Sequence, residues 1–448
     1  MEVTIIGTGY VGLTTGVCLA DSGHNVICID VNENIVLNIN NGKPHIYEPN
    51  LEEILNRVLN KKSFKASTNL DEALNKAEIV LIAVGTPSMG GEIDLKYIKQ
   101  VAENIGKWIK NTGKRIPLVI KSTVVPTTTD TFFKDILENS SDYKHPHFGL
   151  GMNPEFLREG SAVSDFNYPD RLVFGSEDDM TLDALKRLYK YFDCHKILVN
   201  TRTAEFIKYV NNSLLAMQIS FSNEMANLAN NIKNIDYQDV LEGVLSDHRW
   251  NTPKLKNSSS PEIAKYLVPG CGFGGSCLPK DVEAIVNIGN KKGLKMEILK
   301  SVLEINREQP KRIIRLLNDE IRNLENRFSI LVLGLSFKPN TNDIRYSPAK
   351  VIIESLIEKN IRIYAHDPIA SSDFQNQYFP NEKNIKFLKE WKDKIDQVDV
   401  IIIVTTWSEY KDLNYLANNN HIIVDPRRML DKDNLNCKSY RSIGYSFD

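Results

Sequence analysis

A glycine-rich stretch that ends in a cysteine is the part of the chain whose residue types best suit chemistry. Residues 269–281 read PGCGFGGSCLPKD, with four glycines within six residues ahead of Cys277. Because glycine has no Cβ, such a loop can bring backbone N–H groups close to a ligand. Pro279 suits the first position of a helix, so Cys277 would lie just before a helix N-terminus, where peptide dipoles favour a thiolate. The pattern indicates an activated nucleophile; the alternative is a tight turn with a buried, inert cysteine.

The N-terminal residues follow the pattern of a dinucleotide-binding βαβ unit. Gly7, Gly9 and Gly12 come after the apolar run 3–6 and before residues at helical spacing. These glycines allow a tight turn, the approach of a pyrophosphate and close helix packing. Asp30 ends the second predicted strand 21 residues after Gly9, where an acid accepts the ribose hydroxyls. Neither of the next two residues is the arginine that a 2′-phosphate needs, so the sequence predicts NAD rather than NADP.

Two further predicted strands, residues 79–84 and 118–121, end in loops that carry Thr86 and Thr123. Ligands collect at the carboxyl ends of parallel strands, so both threonines are candidates to contact the cofactor. Turn formation or helix capping would also explain these hydroxyl groups, and each residue can serve both roles.

Two groups of charged residues are ambiguous from the sequence alone. Glu155 and Glu159 are four residues apart beside an arginine, which is more typical of solvated surface charge than of a site. Lys208 and Asn212 are one helical turn apart and share a face of a predicted apolar helix. A lysine at this position is either paired in a pocket, or it lies at the surface with the aliphatic part of its side chain packed on apolar groups.

The composition bounds the class of protein. The chain has 448 residues, 42% hydrophobic and 25% charged, with a net charge of −2, so we expect two or three globular domains and neither nucleic acid nor a membrane as partner. The longest apolar run, 398–406, is too short to span a bilayer. Six cysteines without CxxC spacing and no N-terminal signal segment predict a reducing, cytoplasmic location.

The middle of the chain is predicted to be helical. Residues 203–232 form one long helix with Thr203 as its N-cap, followed by a helix over 236–245 and a polar loop at 257–261. Residues 296–323 are mostly helical, with a break near Pro310. The long helix is apolar around much of its circumference, which predicts a homodimer.

The C-terminal part repeats the order strand, helix, strand ending in an acid, without the glycine fingerprint. This repeat predicts a second Rossmann-like domain that binds another nucleotide-like ligand in a different way, with Lys338 and Arg427 as candidate contacts. The predicted fold is therefore α/β: two Rossmann-like doubly wound domains joined by a long central helix. The predicted domains are an NAD-binding domain (1–200), a central helical dimerisation domain with the cysteine loop (201–310) and a sugar-nucleotide-binding domain (311–448).

Together, these motifs resemble the UDP-glucose/GDP-mannose dehydrogenase family, from Met1 to about Leu430. The markers are Gly7 to Gly12, Tyr47-Glu48-Pro49, Gly85-Thr86-Pro87, Lys121-Ser122-Thr123, Asn153 to Gly160, Lys208 with Asn212, Gly272 to Asp281, Gly334 to Arg345 and Trp407-Ser408-Glu409-Tyr410. The UDP-glucose branch is the more similar. Asp247-His248-Arg249 and Ser276 to Asp281 also resemble the GDP-mannose branch, which stays the alternative.

The resemblance implies a role for each matching residue. Cys277 is implied as the nucleophile, Lys208 as the cation that steadies the oxyanion, and Asn212 as its neighbour. The other implied catalytic residues, around Lys208 and a water, are Asp281, Glu159 and Thr123. The implied cofactor contacts are Gly7, Gly9, Tyr10, Val11, Gly12, Asp30, Thr86, Thr123 and Glu159. The implied substrate contacts are Glu155, Phe156, Leu157, Lys208, Asn212, Phe273, Gly274, Lys338, Arg427 and, across a subunit interface, Arg249.

The activity that the resemblance implies is the four-electron oxidation of the C6 alcohol of UDP-glucose to the acid, with NAD as cofactor. Two hydride transfers are required, and the aldehyde between them has no hydride donor form until a nucleophile adds to it. Addition of Cys277 would give a thiohemiacetal, whose oxidation gives a thioester that water can cleave. GDP-mannose, or another nucleotide sugar oxidised at the same position, is the alternative substrate.

Overall fold

The computed structural model of the chain describes residues 1–247, 249–250, 262–321 and 328–446. It divides into two compact units, Met1–Asn211 and Asn212–Asp448. The predicted loop at 257–261 lies outside the described residues. Among the helices of the described ranges, none combines the length and the apolar character that a membrane crossing needs.

The first unit alternates strands and helices. Its strands are β1 (Glu2–Ile6), β2 (Asn25–Ile29), β3 (Phe64–Ser67), β4 (Ile79–Ile82), β5 (Ser88–Met89), β6 (Glu92–Ile93), β7 (Pro117–Ile120), β8 (Gly149–Met152), β9 (Arg171–Ser176) and β10 (His195–Val199). Its helices are α1 (Tyr10–Asp21), α2 (Glu33–Asn40), α3 (Leu51–Asn60), α4 (Leu70–Lys76), α5 (Lys96–Thr112), α6 (Lys134–Ser141), α7 (Ala162–Asn167), α8 (Asp179–Leu188) and the start of α9 (Thr201–Ile232), with a π-helical turn at Thr128–Phe133.

An eight-stranded sheet forms the centre of this unit, in the order β10-β9-β8-β7-β4-β1-β2-β3. From β3 to β8 neighbouring strands are parallel and follow the Rossmann order, whereas β9 is antiparallel to β8. Strands β4 and β7 are buried at every position, as expected for strands covered on both faces. The loops after β1, β4, β7 and β8 therefore begin at the same edge of the sheet.

The second unit contains the rest of α9 and a further α/β arrangement. Its helices are α10 (Tyr237–Leu245), α11 (Leu278–Lys291), α12 (Glu297–Ile321), α13 (Pro348–Glu358), α14 (Ser371–Tyr378) and α15 (Leu413–Leu416). Its strands are β11 (Ser329–Leu333), β12 (Arg362–His366), β13 (Ile385–Phe387), β14 (Val400–Ile403), β15 (Ile422–Val424) and β16 (Ser439–Arg441). Short 3₁₀ turns span Glu262–Leu267, Lys392–Gln397 and Ser408–Asp412.

The six strands of this unit form a parallel sheet in the order β13-β12-β11-β14-β15-β16. Counted along the chain, this is again the Rossmann order 3-2-1-4-5-6. The turn after the first strand is also repeated, because Gly7 and Gly334 both have positive φ, 99° and 92°. The predicted fold class, two Rossmann-like domains joined by a long helix, is confirmed.

Two details of the predicted helices are wrong. Helix α9 begins at Thr201 rather than after Thr203, since Asn200 Oδ1 accepts the N–H of Thr203 at 2.8 Å and so caps the first turn. Helix α12 is continuous through Pro310, where a break was expected. Proline removes one hydrogen bond from a helix, and here that loss does not end it.

Candidate active site

The turn after β1 fits a pyrophosphate. A Cβ on Gly7 would lie 2.6 Å from Ala83 O, and one on Gly12 would lie 1.9 Å from Gly7 O, so both positions require glycine. A Cβ on Gly9 would meet no atom within 4 Å, which leaves open space at the N-terminus of α1, the helix that starts at Tyr10. Val11 is in the first turn of that helix. Backbone N–H groups facing open space at a helix N-terminus form an anion-binding site.

Asp30 follows β2, as predicted for the ribose-binding acid. Its Oδ2 accepts hydrogen bonds from the Thr8 N–H at 3.1 Å and the Thr8 Oγ1 at 2.5 Å, and its Oδ1 accepts the Asn32 N–H at 3.0 Å. These bonds fix the carboxylate beside the glycine turn. A carboxylate has about four lone-pair sites, so capacity remains for a ribose hydroxyl.

The loops after β4 and β7 are tied together by the two predicted threonines. Thr86 Oγ1 donates to the carbonyl oxygen of Thr123 at 2.9 Å. Ser122 Oγ donates to the carbonyl oxygen of Val84 at 2.7 Å. Both hydroxyl-bearing loops therefore lie together at the edge of the sheet where ligands collect.

Lys208 and Glu155 form a buried ion pair in the first unit. Lys208 Nζ lies 3.0 Å from Glu155 Oε1 and donates to Glu155 O at 2.7 Å, and both side chains are about 5% exposed. The Leu157 N–H donates to Glu155 Oε2 at 2.7 Å. The Phe156 ring has Lys208 Nζ at 5.3 Å and the Arg171 guanidinium at 4.0 Å from its centre. For Glu155 and Lys208 the surface interpretations are therefore wrong, because the pair is almost fully removed from solvent.

Glu48, to which the sequence assigned no role, holds the loop that carries Glu159. Its buried carboxylate accepts the N–H groups of Gly160 and Ala162, each at 2.7 Å, and the hydroxyl of Tyr10. Tyr10 opens α1 at the glycine turn, so one carboxylate connects that turn with the loop of Glu159. The Tyr47-Glu48-Pro49 marker was the signal that could have identified this residue.

In the second unit, Cys277 is exposed at the N-cap of α11. Helix α11 begins at Leu278, so Pro279 occupies its second position rather than its first. The buried carboxylate of Asp281, one turn further on, accepts Asn212 Nδ2 at 2.7 Å and Lys280 Nζ at 2.6 Å. The structure thus brings three of the predicted catalytic residues to the start of one helix, and the alternative in which Cys277 is buried is wrong.

Side chains of α9 and α12 fix the glycine-rich loop before Cys277. The Gly270 N–H donates to Asn223 Oδ1 at 2.8 Å, and Gln309 Nε2 donates to Gly270 O at 2.8 Å. Asn306 binds the backbone of Phe273 twice, accepting its N–H at 2.7 Å and donating to its carbonyl at 3.0 Å. Sequence reasoning missed these amide side chains, because nothing in their spacing distinguishes them from surface polar residues.

The remaining predicted substrate residues lie at several places in the second unit. Gly274 packs so closely that a Cβ would lie 2.4 Å from Tyr346 O. Arg427, after β15, donates to Gly272 O at 3.2 Å and so contacts the glycine-rich loop. Lys338 Nζ lies 5.5 Å from the centre of the Phe337 ring in the loop after β11. Arg249 is exposed and pairs with Asp247.

Comparison with known proteins identifies the family. Three family models match in succession: the NAD binding domain of the UDP-glucose/GDP-mannose dehydrogenase family over residues 1–193, its central domain over 202–308 and its UDP binding domain over 331–432. The chain is 36% identical to a UDP-glucose 6-dehydrogenase of Rickettsia conorii, with 98% of each chain covered.

Two solved structures carry the same conclusion. A UDP-glucose dehydrogenase from the archaeon Pyrobaculum islandicum is 36% identical, with a TM-score of 0.89 over 99% of this chain and 98% of the other. A GDP-mannose dehydrogenase from Pseudomonas aeruginosa is 31% identical, with a TM-score of 0.55 over 96% of each chain. The chain belongs to the UDP-glucose/GDP-mannose dehydrogenase family, and its cofactor is NAD.

Proposed function

We propose that this chain oxidises the C6 alcohol of UDP-glucose to the carboxylate of UDP-glucuronate through a covalent intermediate on Cys277. The observation that carries this proposal is the arrangement at the start of α11, where an exposed cysteine precedes a helix whose first turn holds Asp281 bonded to Asn212. A helix N-terminus favours a thiolate, and a neighbouring carboxylate with an amide can position a water. A dehydrogenase that stops at the aldehyde has no need for such a group.

Bound NAD would supply the hydride acceptor for each of two oxidations. In the first, C6 loses a hydride and the hydroxyl loses a proton to solvent, which gives the aldehyde. The Cys277 thiolate then forms a C–S bond to C6, and the carbonyl becomes an oxyanion that Lys208 and Asn212 stabilise. Loss of the second hydride gives a thioester. Attack of a water positioned by Asp281, Glu159 and Thr123 breaks the C–S bond and releases the carboxylate and the thiolate, and two protons pass to solvent.

The uridine nucleotide is favoured over the guanosine nucleotide by two findings. The relative from Rickettsia conorii, 36% identical with 98% of each chain covered, is a UDP-glucose 6-dehydrogenase. The structural similarity to a UDP-glucose dehydrogenase is also higher than to a GDP-mannose dehydrogenase, with TM-scores of 0.89 and 0.55. We assign contacts with the sugar nucleotide to Glu155, Phe156, Leu157, Lys208, Asn212, Phe273, Gly274, Lys338, Arg427 and, from a second subunit, Arg249.

The test is NADH formation with UDP-glucose, GDP-mannose and UDP-N-acetylglucosamine in parallel. We expect UDP-glucose to give a kcat/KM at least about tenfold above the others and two NADH per sugar nucleotide consumed. One NADH per sugar, with an aldehyde as product, would contradict the covalent mechanism. A preference for GDP-mannose with two NADH per sugar would support the covalent mechanism but change the assigned substrate to GDP-mannose.

We further propose that the chain works as a homodimer formed through one face of α9. Apolar side chains on this helix are about half exposed, and three of them, Leu214, Phe221 and Leu228, are seven residues apart. That spacing is typical of a helix that packs against another helix. The division into domains 1–200, 201–310 and 311–448, and the cytoplasmic location that the cysteines suggest, remain predictions.

A further inference from the structure

A buried lysine that the proposed mechanism does not use lies beside the Lys208–Glu155 pair. Lys121 directly follows β7 and is 4% exposed. Burial lowers its pKa to about 8; the charge of Glu155 opposes this change and that of Lys208 adds to it. A cation in such surroundings costs folding free energy, so its presence suggests a role other than stability.

Lys121 is bonded to an asparagine whose side-chain oxygen and nitrogen both have hydrogen-bond partners. Its Nζ donates to Asn153 Oδ1 at 3.0 Å, and the hydroxyl of Tyr189 donates to the same oxygen at 2.8 Å. The Asn153 amide Nδ2 donates to Val173 O at 2.9 Å, and its backbone N–H donates to Ile120 O at 2.8 Å. Asn153 is therefore held in one orientation at the end of β8.

The loop that Asn153 begins carries the other half of the connection. Pro154, whose φ is fixed by its ring, separates Asn153 from Glu155. Glu155 then receives Lys208 Nζ on both its carbonyl oxygen and its carboxylate. A continuous chain of bonds thus runs from Lys121 through Asn153 and Glu155 to Lys208, and all four residues belong to the first unit.

Lys121, Lys208 and Glu155 place two cations and one carboxylate in this buried region. Glu155 and Lys208 face it from the 153–157 loop and from α9, and the hydroxyl of Tyr189 faces it from the end of α8. Lys121 also lines a cavity of about 90 Å³ whose other charged residues are Glu155, Arg158, Asp165, Asp170 and Arg171. The charge of Lys121 therefore acts on the same carboxylate that holds Lys208.

We propose that Lys121 is a positioning residue for the reaction: it fixes the 153–157 loop through Asn153, and its charge weakens the hold of Glu155 on Lys208, the cation that stabilises the substrate oxyanion. This inference rests on the proposed function, in which Lys208 steadies that oxyanion. Loss of Lys121 would leave a neutral, tighter Lys208–Glu155 pair. Lys208 would then respond less to the developing negative charge.

The experiment compares Lys121→Met with Tyr189→Phe as the matched control. Both variants remove one donor to Asn153 Oδ1, but only the first removes a charge. For Lys121→Met we expect kcat with UDP-glucose to fall by about tenfold or more and KM to change by less than about threefold. The change of kcat near pH 8 should disappear, because the group that has a pKa of about 8 is removed. The melting temperature should equal or exceed that of the wild type, because an apolar side chain replaces a buried charge. Tyr189→Phe should keep kcat within about threefold and leave the pH profile unchanged.

Several outcomes would overturn the inference. A Lys121→Met enzyme with wild-type kcat and pH profile removes any role for the lysine in the reaction. Equal losses of kcat and of melting temperature in both variants would mean that Lys121 only supports the fold. If Lys121→Met does not fold, Lys121→Arg tests the proposal instead. This variant keeps the charge and a hydrogen-bond donor, so it should retain at least about a third of wild-type kcat. A loss equal to that of an inactive enzyme would contradict the proposal. Absence of wild-type turnover of UDP-glucose in the same assay would instead refute the proposed function.

Discussion

Two cysteines of the same loop differ in how far they are exposed. Cys271 is fully buried, and burial raises its pKa to about 12, which keeps it as an inert thiol. Cys277, six residues later, is exposed at the N-cap of α11. The helix signal at Pro279 allowed the position of Cys277 before a helix to be predicted from the sequence. The burial of Cys271 comes from packing against distant residues and could not be foreseen.

For Cys277→Ala we expect NAD and UDP-glucose to bind within about threefold of wild type, but acid formation to fall by roughly a thousandfold or more. The thiolate is needed only after the first hydride has left, so binding does not depend on it. Cys277→Ser is expected to trap the uronyl nucleotide as a slowly hydrolysed ester, which intact-protein mass spectrometry would detect as an added mass. Cys271→Ala is the control and should keep its activity. Near wild-type turnover by Cys277→Ala would remove the nucleophile assignment.

Asp30 should determine the choice between NAD and NADP. Its carboxylate is fixed by Thr8 and Asn32 next to the glycine turn, where it would repel a 2′-phosphate. We expect kcat/KM to be at least about tenfold higher with NAD, on the order of 1.4 kcal/mol. Asp30→Asn should narrow this ratio, because the repulsion is removed. Steady-state rates with both cofactors test the prediction, and equal use of NAD and NADP by the wild type would refute it.

At the scale of elements, the start of α9 depends on a buried carboxylate. Glu205, in the first turns of the helix, accepts the N–H of Thr127 at 2.8 Å and both the N–H and the hydroxyl of Thr129, at 2.8 and 2.7 Å. Burial raises its pKa to about 7 although these donors oppose the change. The folded state therefore binds this proton more tightly than the unfolded state does. The stabilisation of the folded state by protonated Glu205 is fully present below about pH 4.5. It is lost as the pH rises through about 7.

We expect Glu205→Gln to flatten the dependence of unfolding free energy on pH between about 4.5 and 7, a change of up to about 3 kcal/mol. Glutamine does not titrate, and its amide NH₂ would face one of the backbone donors, so the variant should also be less stable at acid pH by about 1–3 kcal/mol. Urea unfolding at several pH values measures both effects. Glu103→Gln, on the exposed side of α5, is the matched control and should change neither. An unchanged pH dependence in Glu205→Gln would contradict the assignment.

The elements that the sequence predicted well are those whose signal is local. The buried strands β4 and β7 lie within two residues of their predicted ends, because short apolar runs bounded by turn residues identify them. The break expected at Pro310 was wrong, and the capping residue of α9 was Asn200 rather than Thr203. Asn306 and Gln309, three residues apart on α12, bind a loop that lies more than thirty residues earlier in the chain. No local sequence pattern contains such a contact.

At the scale of the whole molecule, the same topology serves two different uses. Both sheets have an acid after the second strand, Asp30 in the first and Asp367 in the second. Asp367 is 3% exposed and accepts the N–H groups of Leu335 and Ser336, the Ser336 hydroxyl and the Trp407 indole N–H. Its capacity is used within the fold, so we do not expect it to bind a ribose as Asp30 does. The alternation of strands and helices predicted the repeated fold, but only the structure distinguishes the two acids.

The exposed face of α9 gives the prediction on assembly. Phe221 and Leu228 are 55% and 52% exposed on a helix of 32 residues, a larger apolar surface than a monomer usually presents to water. We expect wild-type protein to be a dimer by light scattering, and Phe221→Glu with Leu228→Glu to shift it to monomer. Tyr415→Glu, a change at an isolated exposed aromatic residue on α15, is the control and should leave the dimer intact.

The dimer also predicts complementation between two inactive variants if Arg249 serves the site of the partner. Arg249→Ala and Cys277→Ala should each be inactive alone, because each lacks one group at both sites of its homodimer. In a mixed dimer, one site would receive Arg249 from the Cys277→Ala subunit and the thiolate from the Arg249→Ala subunit. Equal mixing after dissociation should place half of the subunits in mixed dimers and restore about a quarter of wild-type activity. If the mixture stays inactive while mass spectrometry of the intact complex detects mixed dimers, Arg249 acts within its own subunit or not at all, and the assignment across the interface is wrong.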